Sequence, residues 1–419
     1  MTTLNARVTH TVPFARVDAG EAEAQAAADV IRGGWLTTSS RCAEFETAFA
    51  GRVDAEHAVA MNSCTAALHL ALEALGVGPG DVVVTTPYAF AASAEVLRYL
   101  GAVPLFVDVD PSTFNIDCDL LAAALERLEQ GDRRVLPPAY RNRVKPRPAK
   151  AILPVHIGGV PCDLDRIYKL AAAHGVAVVE DAAHAFPAAL GARPVGSTTD
   201  ASVRSATCFS FYATKTLTTG EGGMLVTDDA ALAARARQMS LHGLDRDAWA
   251  RHRGSEPWKY DIAAPGYKYN LTDIAAAIGL VQLGRADTMT ARRAEITRRY
   301  DEHFGALEPL QIPHVPVGVT PSWHLYMLRI RPSEVSIHRD RFIEALASRG
   351  VATSVHFIPL HLHSYYRQSL GYRPADLPVA TDEWEREISL PIYSAMTDDD
   401  LAHVCAAVTD VATRFARGM

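Results

Sequence analysis

The chain has 419 residues, 48% of them hydrophobic and 21% charged, with a formal net charge of −7; it is too long for one ordinary core, so two packed regions are expected. The acidic balance argues against a general nucleic-acid binder, whose footprint would be basic, so any anionic ligand has to be held by local groups. No apolar run is long enough to span a bilayer, and residues 1–13 lack the apolar core of a signal peptide, which makes a cytoplasmic protein the expectation.

From about residue 58 to 227, short β-branched runs alternate with alanine-rich amphipathic runs, the pattern of an α/β fold whose mostly parallel sheet is covered by helices. A strand at 58–61 leads to a helix at 65–75 closed by Gly76, and a strand at 82–85 leads to a helix at 91–100 closed by Gly101. Strands at 104–108, 151–155 and 176–181 continue the series. Residues 130–150 break the rhythm: four prolines and seven basic residues predict a long exposed loop, read as a solvated insertion or as a reach toward a phosphate-bearing substrate or another chain. A long helix over 272–304, with Arg292, Arg293, Glu295, Arg298 and Arg299 expected on its exposed side, reads as a connector between domains. A strand at 323–330, a helix at 340–349 and a final amphipathic helix at 401–417 make a smaller C-terminal α+β domain. The expected division is 1–270 for the large domain with its N-terminal arm, 271–305 for the connecting helix and 306–419 for the small domain.

In open α/β sheets ligands collect at the carboxyl ends of the strands, so chemistry is sought just after these runs. Asn62 to His69 crosses from strand to helix and offers free N–H groups and the positive end of a dipole, suited to a phosphate; Thr65 and the amide of Ala66 are nearest, with ordinary capping by Ser63 or Thr65 as the alternative. Phe90 follows a strand and is either core or a platform for a flat heterocycle. Glu180 and Asp181 end an apolar strand, where a carboxylate needs a cationic partner such as a protonated pyridine nitrogen. Asp181, nearer the strand end, is the better candidate, with a helix cap as its alternative. Lys215 lies between an apolar run ending at Tyr212 and a Gly220-Glu221-Gly222-Gly223 turn. It is either a solvated loop lysine or an amine desolvated enough to form a Schiff base with pyridoxal phosphate (PLP). The cysteines Cys42, Cys64, Cys118, Cys162, Cys208 and Cys405 are scattered with no C-x-x-C pair, which speaks for reduced buried thiols and against a metal site.

Taken in order, these motifs resemble the DegT/StrS family of PLP-dependent sugar aminotransferases. The similarity runs from Val30 to Thr38, through Glu180 to Ala185, the lysine segment and Pro265 to Asp273, to Arg386 to Pro391. The resemblance implies a fold-type I PLP-dependent transferase working as a homodimer with shared active sites. It implies Lys215 as the lysine that carries the cofactor, Asp181 at the pyridine nitrogen, His184 near the ring hydroxyl and Phe90 stacked on the ring. Thr65, Ala66 and Ser210 would bind the phosphate, with Asn270 reaching in from the neighbouring subunit, and Trp35, His356 and Tyr365 would line the substrate side. The implied reaction passes an amino group from L-glutamate, which leaves as 2-oxoglutarate, to a keto-sugar linked to UDP or dTDP, in amino-sugar biosynthesis. Alternatives are amination of a cyclitol or other non-nucleotide ring, and a catalytically silent regulatory protein. Relatives that dehydrate sugars carry histidine in place of the lysine, which this chain keeps. Ser39-Ser40 stand where relatives often have Gly-Pro, and residues 130–150 are longer than usual for the family; both bear on substrate fit.

Overall fold

The computed structural model describes residues 10–244 and 260–417, so residues 1–9 of the expected N-terminal arm lie outside the described part. Its centre is a seven-stranded sheet built from β1 (His57–Met61), β2 (Val82–Thr85), β3 (Val103–Phe106), β4 (Ala151–Leu153), β5 (Ala177–Asp181), β8 (Ser205–Ser210) and β9 (Gly223–Thr227). The spatial order is β1-β9-β8-β5-β4-β2-β3. β3, β2, β4, β5 and β8 run parallel, while β9 lies antiparallel between β8 and β1. β6 (Ala189–Leu190) and β7 (Arg193–Pro194) pair in a small separate sheet with β11 (Val319–Thr320).

The central strands read as unbroken apolar runs because both faces are covered. On one face Leu68, Leu72, Leu97 and Leu225 pack together; on the other Val84, Leu121, Leu125 and Ile167 do so. Several helices start where a short polar side chain takes an otherwise orphaned amide, among them Ser63 for Cys64–Ala74, Asp117 for Cys118–Glu129, Asp163 for Leu164–His174 and Thr272 for Asp273–Phe304.

The Asp273–Phe304 helix spans 32 residues. Its last turns bury Ile296, Tyr300 and Phe304 in a second core with Leu328, Phe342, Leu401 and Val408. A three-stranded antiparallel sheet of β10 (Leu310–Gln311), β12 (Tyr326–Ile330) and β13 (Glu387–Leu390) carries that core. Two segments cross between the cores. Val12, near the start of the chain, joins the second core and bridges to Val351. Conversely, Leu360, Tyr366, Leu370, Tyr372 and Leu377 pack into the first, where Tyr372 Oη accepts from Phe106 N–H at 3.2 Å.

Two sequence expectations are corrected by packing. Residues 130–150 are not a wholly exposed loop: Leu136 is fully buried in the sheet's second face, and Arg98 Nη1 donates to Tyr140 Oη at 2.9 Å. A run dense in proline forgoes strands but can still be anchored by one apolar side chain. Arg293 does not lie on an exposed helix face; it is buried, and its Nη1 donates to the carbonyls of Trp323 at 3.1 Å and Ile392 at 3.0 Å. Among the described residues no helix is long and apolar enough to cross a membrane, and no cluster of His, Cys, Asp or Glu could hold a metal ion.

Candidate active site

The parallel strands β1, β2, β4, β5 and β8 end on the same edge of the sheet, which is also where β9 begins, and a cavity of about 520 Å³ opens there. Its wall includes Thr65, Phe90, Asp181, His184, Ser210, Lys215 and His356. The topology thus gathers seven of the residues singled out from the sequence into one space.

Lys215 is half-buried in the turn after β8. Threonine hydroxyls pin that turn: Thr216 to the Phe186 carbonyl, Thr218 to that of Phe211 at 3.1 Å and Thr219 to that of Glu221 at 2.7 Å. Burial pulls the Lys215 amine down to about 8, against the opposing pull of the Asp181 carboxylate. A sizeable fraction of the amine is therefore uncharged and nucleophilic near neutral pH.

Asp181 and Glu180 are adjacent on β5, so their side chains leave opposite faces of the sheet. Asp181 Oδ2 accepts from Ser93 Oγ at 2.6 Å and Oδ1 from Ala183 N–H at 3.1 Å, which fixes the carboxylate at the cavity. Glu180 is buried on the other side, accepting from Tyr168 Oη at 2.7 Å and lying 2.9 Å from His156 Nε2. Because His156 Nδ1 accepts from Cys162 N–H at 3.0 Å, it is Nε2 that carries the proton toward Glu180. Glu180 is therefore saturated within the core, and Asp181 is the acid available to a ligand.

Three histidines surround Lys215. His184 Nδ1 accepts from Gly158 N–H at 3.2 Å, which leaves the proton on Nε2. His324 Nε2 is 3.4 Å from Lys215 Nζ, while its Nδ1 is buried without a partner among the described residues. Burial, and then the charge of Lys215, holds both rings well below the usual histidine range, and His356 is pulled down to about 4 for the same reasons. All three are neutral hydrogen-bonding groups, so the positive charge of the site is that of Lys215, set against the Asp181 carboxylate, with Glu221 a second acid on the wall.

The start of the Cys64–Ala74 helix corrects one expectation. Ala66 N–H donates to Ser63 Oγ at 3.1 Å, so it is taken by the cap and is not free for a phosphate. The amides of Cys64 and Thr65, ahead of the capped one, are the open donors. Gly223 lets β9 pass this helix start closely, since a Cβ there would come within 2.4 Å of the Ser63 carbonyl carbon.

Three more residues lie away from the cavity. Trp35 is exposed, with Nε1 3.5 Å from the Thr38 carbonyl. Tyr365 is exposed and accepts from Arg98 Nε at 3.3 Å. Asn270 accepts from Lys268 Nζ at 2.6 Å and donates to Thr38 Oγ1 at 2.7 Å; it borders a different, larger cavity of about 820 Å³ with Ser39, Ser40 and Arg237. Residues not singled out beforehand also shape the site, namely Ser93, Cys64, Tyr212, His324 and Phe357. His324 follows directly on Trp323 in a strand-like stretch, but nothing in its spacing relates it to Lys215. Ser93 is one of many helix serines, and only the fold brings it to Asp181.

The groups present suit PLP. A fixed carboxylate could face a protonated pyridine, a half-buried amine could bond its aldehyde carbon, open helix-start amides with Ser210 could take its phosphate, and Phe90 and His184 could flank its ring.

Comparison with known proteins agrees with this chemistry. The profile of the DegT/DnrJ/EryC1/StrS aminotransferase family matches residues 17–409. The spore coat polysaccharide biosynthesis protein SpsC of Bacillus subtilis is 44% identical over 403 residues, covering 96% of this chain and 97% of that protein. Among solved structures, the PLP form of Spr1654 from Streptococcus pneumoniae superposes with a TM-score of 0.83 at 32% identity, covering 97% of this chain and 99% of that one. The aminotransferase TlmJ from Streptoalloteichus hindustanus superposes at 0.82 with 33% identity, covering 96% and 99%.

Proposed function

Because the chain belongs to the DegT/DnrJ/EryC1/StrS aminotransferase family, and is therefore a PLP-dependent sugar aminotransferase, we propose that it moves an amino group from L-glutamate to a keto-sugar linked to UDP or dTDP, in amino-sugar biosynthesis. One observation carries the reading: a half-buried lysine and a hydrogen-bonded aspartate face one cavity at the carboxyl edge of the sheet. The bound cofactor supplies the electron sink that lets a proton leave the amine-bearing carbon.

The chain's residues divide the remaining work. Lys215 Nζ would hold the aldehyde carbon of the cofactor and, as a free amine, would take up and return the proton at the reacting carbon. Asp181, held by Ser93 and the Ala183 amide, would keep the pyridine nitrogen protonated. Thr65 and Ser210 would hold the phosphate, His184 would offer its Nε2 proton to the ring oxygen, and Phe90 would lie against the ring. His356 faces the sugar. Trp35, Tyr365 and Asn270, which do not border this cavity in their own chain, are assigned to a homodimer in which Asn270 and the N-terminal segment serve a neighbouring site. The exposed Ile31, Trp35 and Leu36 support such a contact. The six cysteines are all buried and free, as suits the reducing cytoplasm. SpsC's part in spore coat polysaccharide biosynthesis supports a sugar acceptor.

The test is a panel of UDP- and dTDP-linked keto-sugars incubated with enzyme, PLP and glutamate, with product followed by mass. Amination of a nucleotide-linked sugar is expected. Turnover confined to cyclitols would transfer the assignment to a non-nucleotide ring, and no change in cofactor absorbance with glutamate would indicate a silent protein.

A further inference from the structure

Strand β13 is buried along its whole length, and Ser389 within it bridges antiparallel to Ser354. Ser354 N–H donates to the Ser389 carbonyl at 3.1 Å, and Ser389 N–H to that of Ser354 at 2.9 Å. Antiparallel register then sets His356 opposite Glu387. There a side chain takes over the ladder, with His356 N–H donating to Glu387 Oε2 at 3.0 Å. The other carboxyl oxygen, Oε1, lies 2.5 Å from Ser389 Oγ, which in turn lies 2.9 Å from His356 Nδ1. Glu387 and Ser389 are fully buried, whereas His356 is on the cavity wall with Lys215. A carboxyl shut away from water is thus linked to a ring whose second nitrogen is left for the cavity.

Ser389 has one hydroxyl proton, so the chain has two arrangements. With Glu387 ionised, Ser389 donates to Oε1, His356 Nδ1–H donates to Ser389, and Nε2 offers the cavity a lone pair. With Glu387 protonated, Oε1–H donates to Ser389, Ser389 donates to Nδ1, and Nε2 offers a proton. We propose that Glu387 and Ser389 form a relay that keeps the second arrangement, so that His356 Nε2–H donates to an oxygen of the bound sugar substrate; this rests on the sugar aminotransferase reading above.

The surroundings select the protonated form. Neither of the two arginines near Glu387 donates to its carboxyl, although Arg329 Nε is buried without a partner among the described residues. Arg329, its partner in register on β12, donates to Glu383 at 3.2 Å and to the Pro111 carbonyl. Arg339 donates to Asp340 at 2.6 Å and to the backbone carbonyls of Trp384 and Glu387. Tyr88, whose hydroxyl makes no bond among the described residues, supplies no charge to balance the carboxyl, because burial and the acidic charge of Glu387 and Glu383 push it well above its usual range. An ionised Glu387 would be buried with no direct cationic partner, which is costly. Burial accordingly pushes its carboxyl up to about 8, against its hydrogen bonds and the arginine charges.

The test compares E387Q with S389A in the holoenzyme at pH 7. Glutamine can accept from His356 N–H through its oxygen and donate to Ser389 through its amide, reproducing the protonated relay. E387Q is therefore expected to keep the KM for the keto-sugar within about threefold, and S389A to raise it about tenfold or more, the scale of a lost hydrogen bond. The cofactor half-reaction with the amino donor alone should be unchanged in both, which also shows that each variant is folded. Above pH 8 the wild-type KM should climb as Glu387 ionises, while that of E387Q stays flat. Equal impairment of E387Q and S389A, or an S389A KM equal to wild type, would overturn the relay. Failure of the wild-type enzyme to aminate any sugar would instead overturn the functional reading.

Discussion

Lys215 shows how one residue's environment becomes a rate. Removing its ammonium from water favours the neutral amine, and Asp181 opposes this by favouring the cation. The balance places the amine at about 8, so the nucleophilic fraction rises about tenfold per pH unit below that value and levels off above it. Capture of PLP by the apoenzyme, followed by absorbance in a stopped-flow mixer, should therefore accelerate up to about pH 8 and then plateau. Replacing Asp181 with asparagine removes the charge that stabilises the cation, so the plateau should begin at lower pH even as turnover is lost. An unchanged or upward-shifted profile in D181N would show that Asp181 does not act on the amine. Glu180, one residue earlier, offers no such effect because Tyr168 and His156 already occupy its oxygens.

At the scale of elements, the strands and helices that build the cavity wall were legible because their periods are strong. The run at 82–85 is the observed β2, and the helix expected over 272–304 is observed as Asp273–Phe304. What sequence reasoning could not supply were contacts between distant elements. Asp273 takes the Ser39, Arg41 and Cys42 amides at 2.7, 3.3 and 3.1 Å, capping the Ser40–Val53 helix from more than 230 positions away. Glu387 and Ser389 look like ordinary strand residues until Ser354 pairs with Ser389 and His356 N–H reaches Glu387. The Ser63 cap on Ala66 was one of two readings of the same residues, and only the geometry chose between them. Gly223 is a further case, since its role follows from β9 crossing the helix start. G223A would press a methyl group onto the Ser63–Cys64 backbone, which cannot swing away as a side chain could. Such overpacking costs about 1–3 kcal/mol. The expected outcome is a lower melting temperature together with at least tenfold weaker PLP binding by fluorescence titration. A loss of stability with unchanged affinity would show that this contact does not position the helix-start amides.

At the scale of the molecule, Lys215, Asp181, His184 and Phe90 line one cavity of a single chain, whereas Asn270 lies outside it. Asn270 pairs through its backbone with Met61, two residues before the helix-start cap, yet its side chain turns to Thr38 and Lys268 at the larger cavity. A twofold dimer could bring that face of one protomer to the Lys215 cavity of its partner, because an isologous contact presents each patch to the other copy. Complementation decides between this arrangement and a self-contained site. K215A and N270A, each inactive or weakly active alone, are unfolded together and refolded as a mixture. If Asn270 serves the partner's site, half of the dimers are hybrids by random pairing, and each hybrid holds one site with both residues intact, so activity should recover to about a quarter of wild type. If Asn270 serves its own chain, no hybrid contains an intact site and the mixture should stay at the mean of the two variants. Sedimentation of the same samples would show whether both variants assemble as dimers, so that a failure to complement cannot be mistaken for a failure to pair.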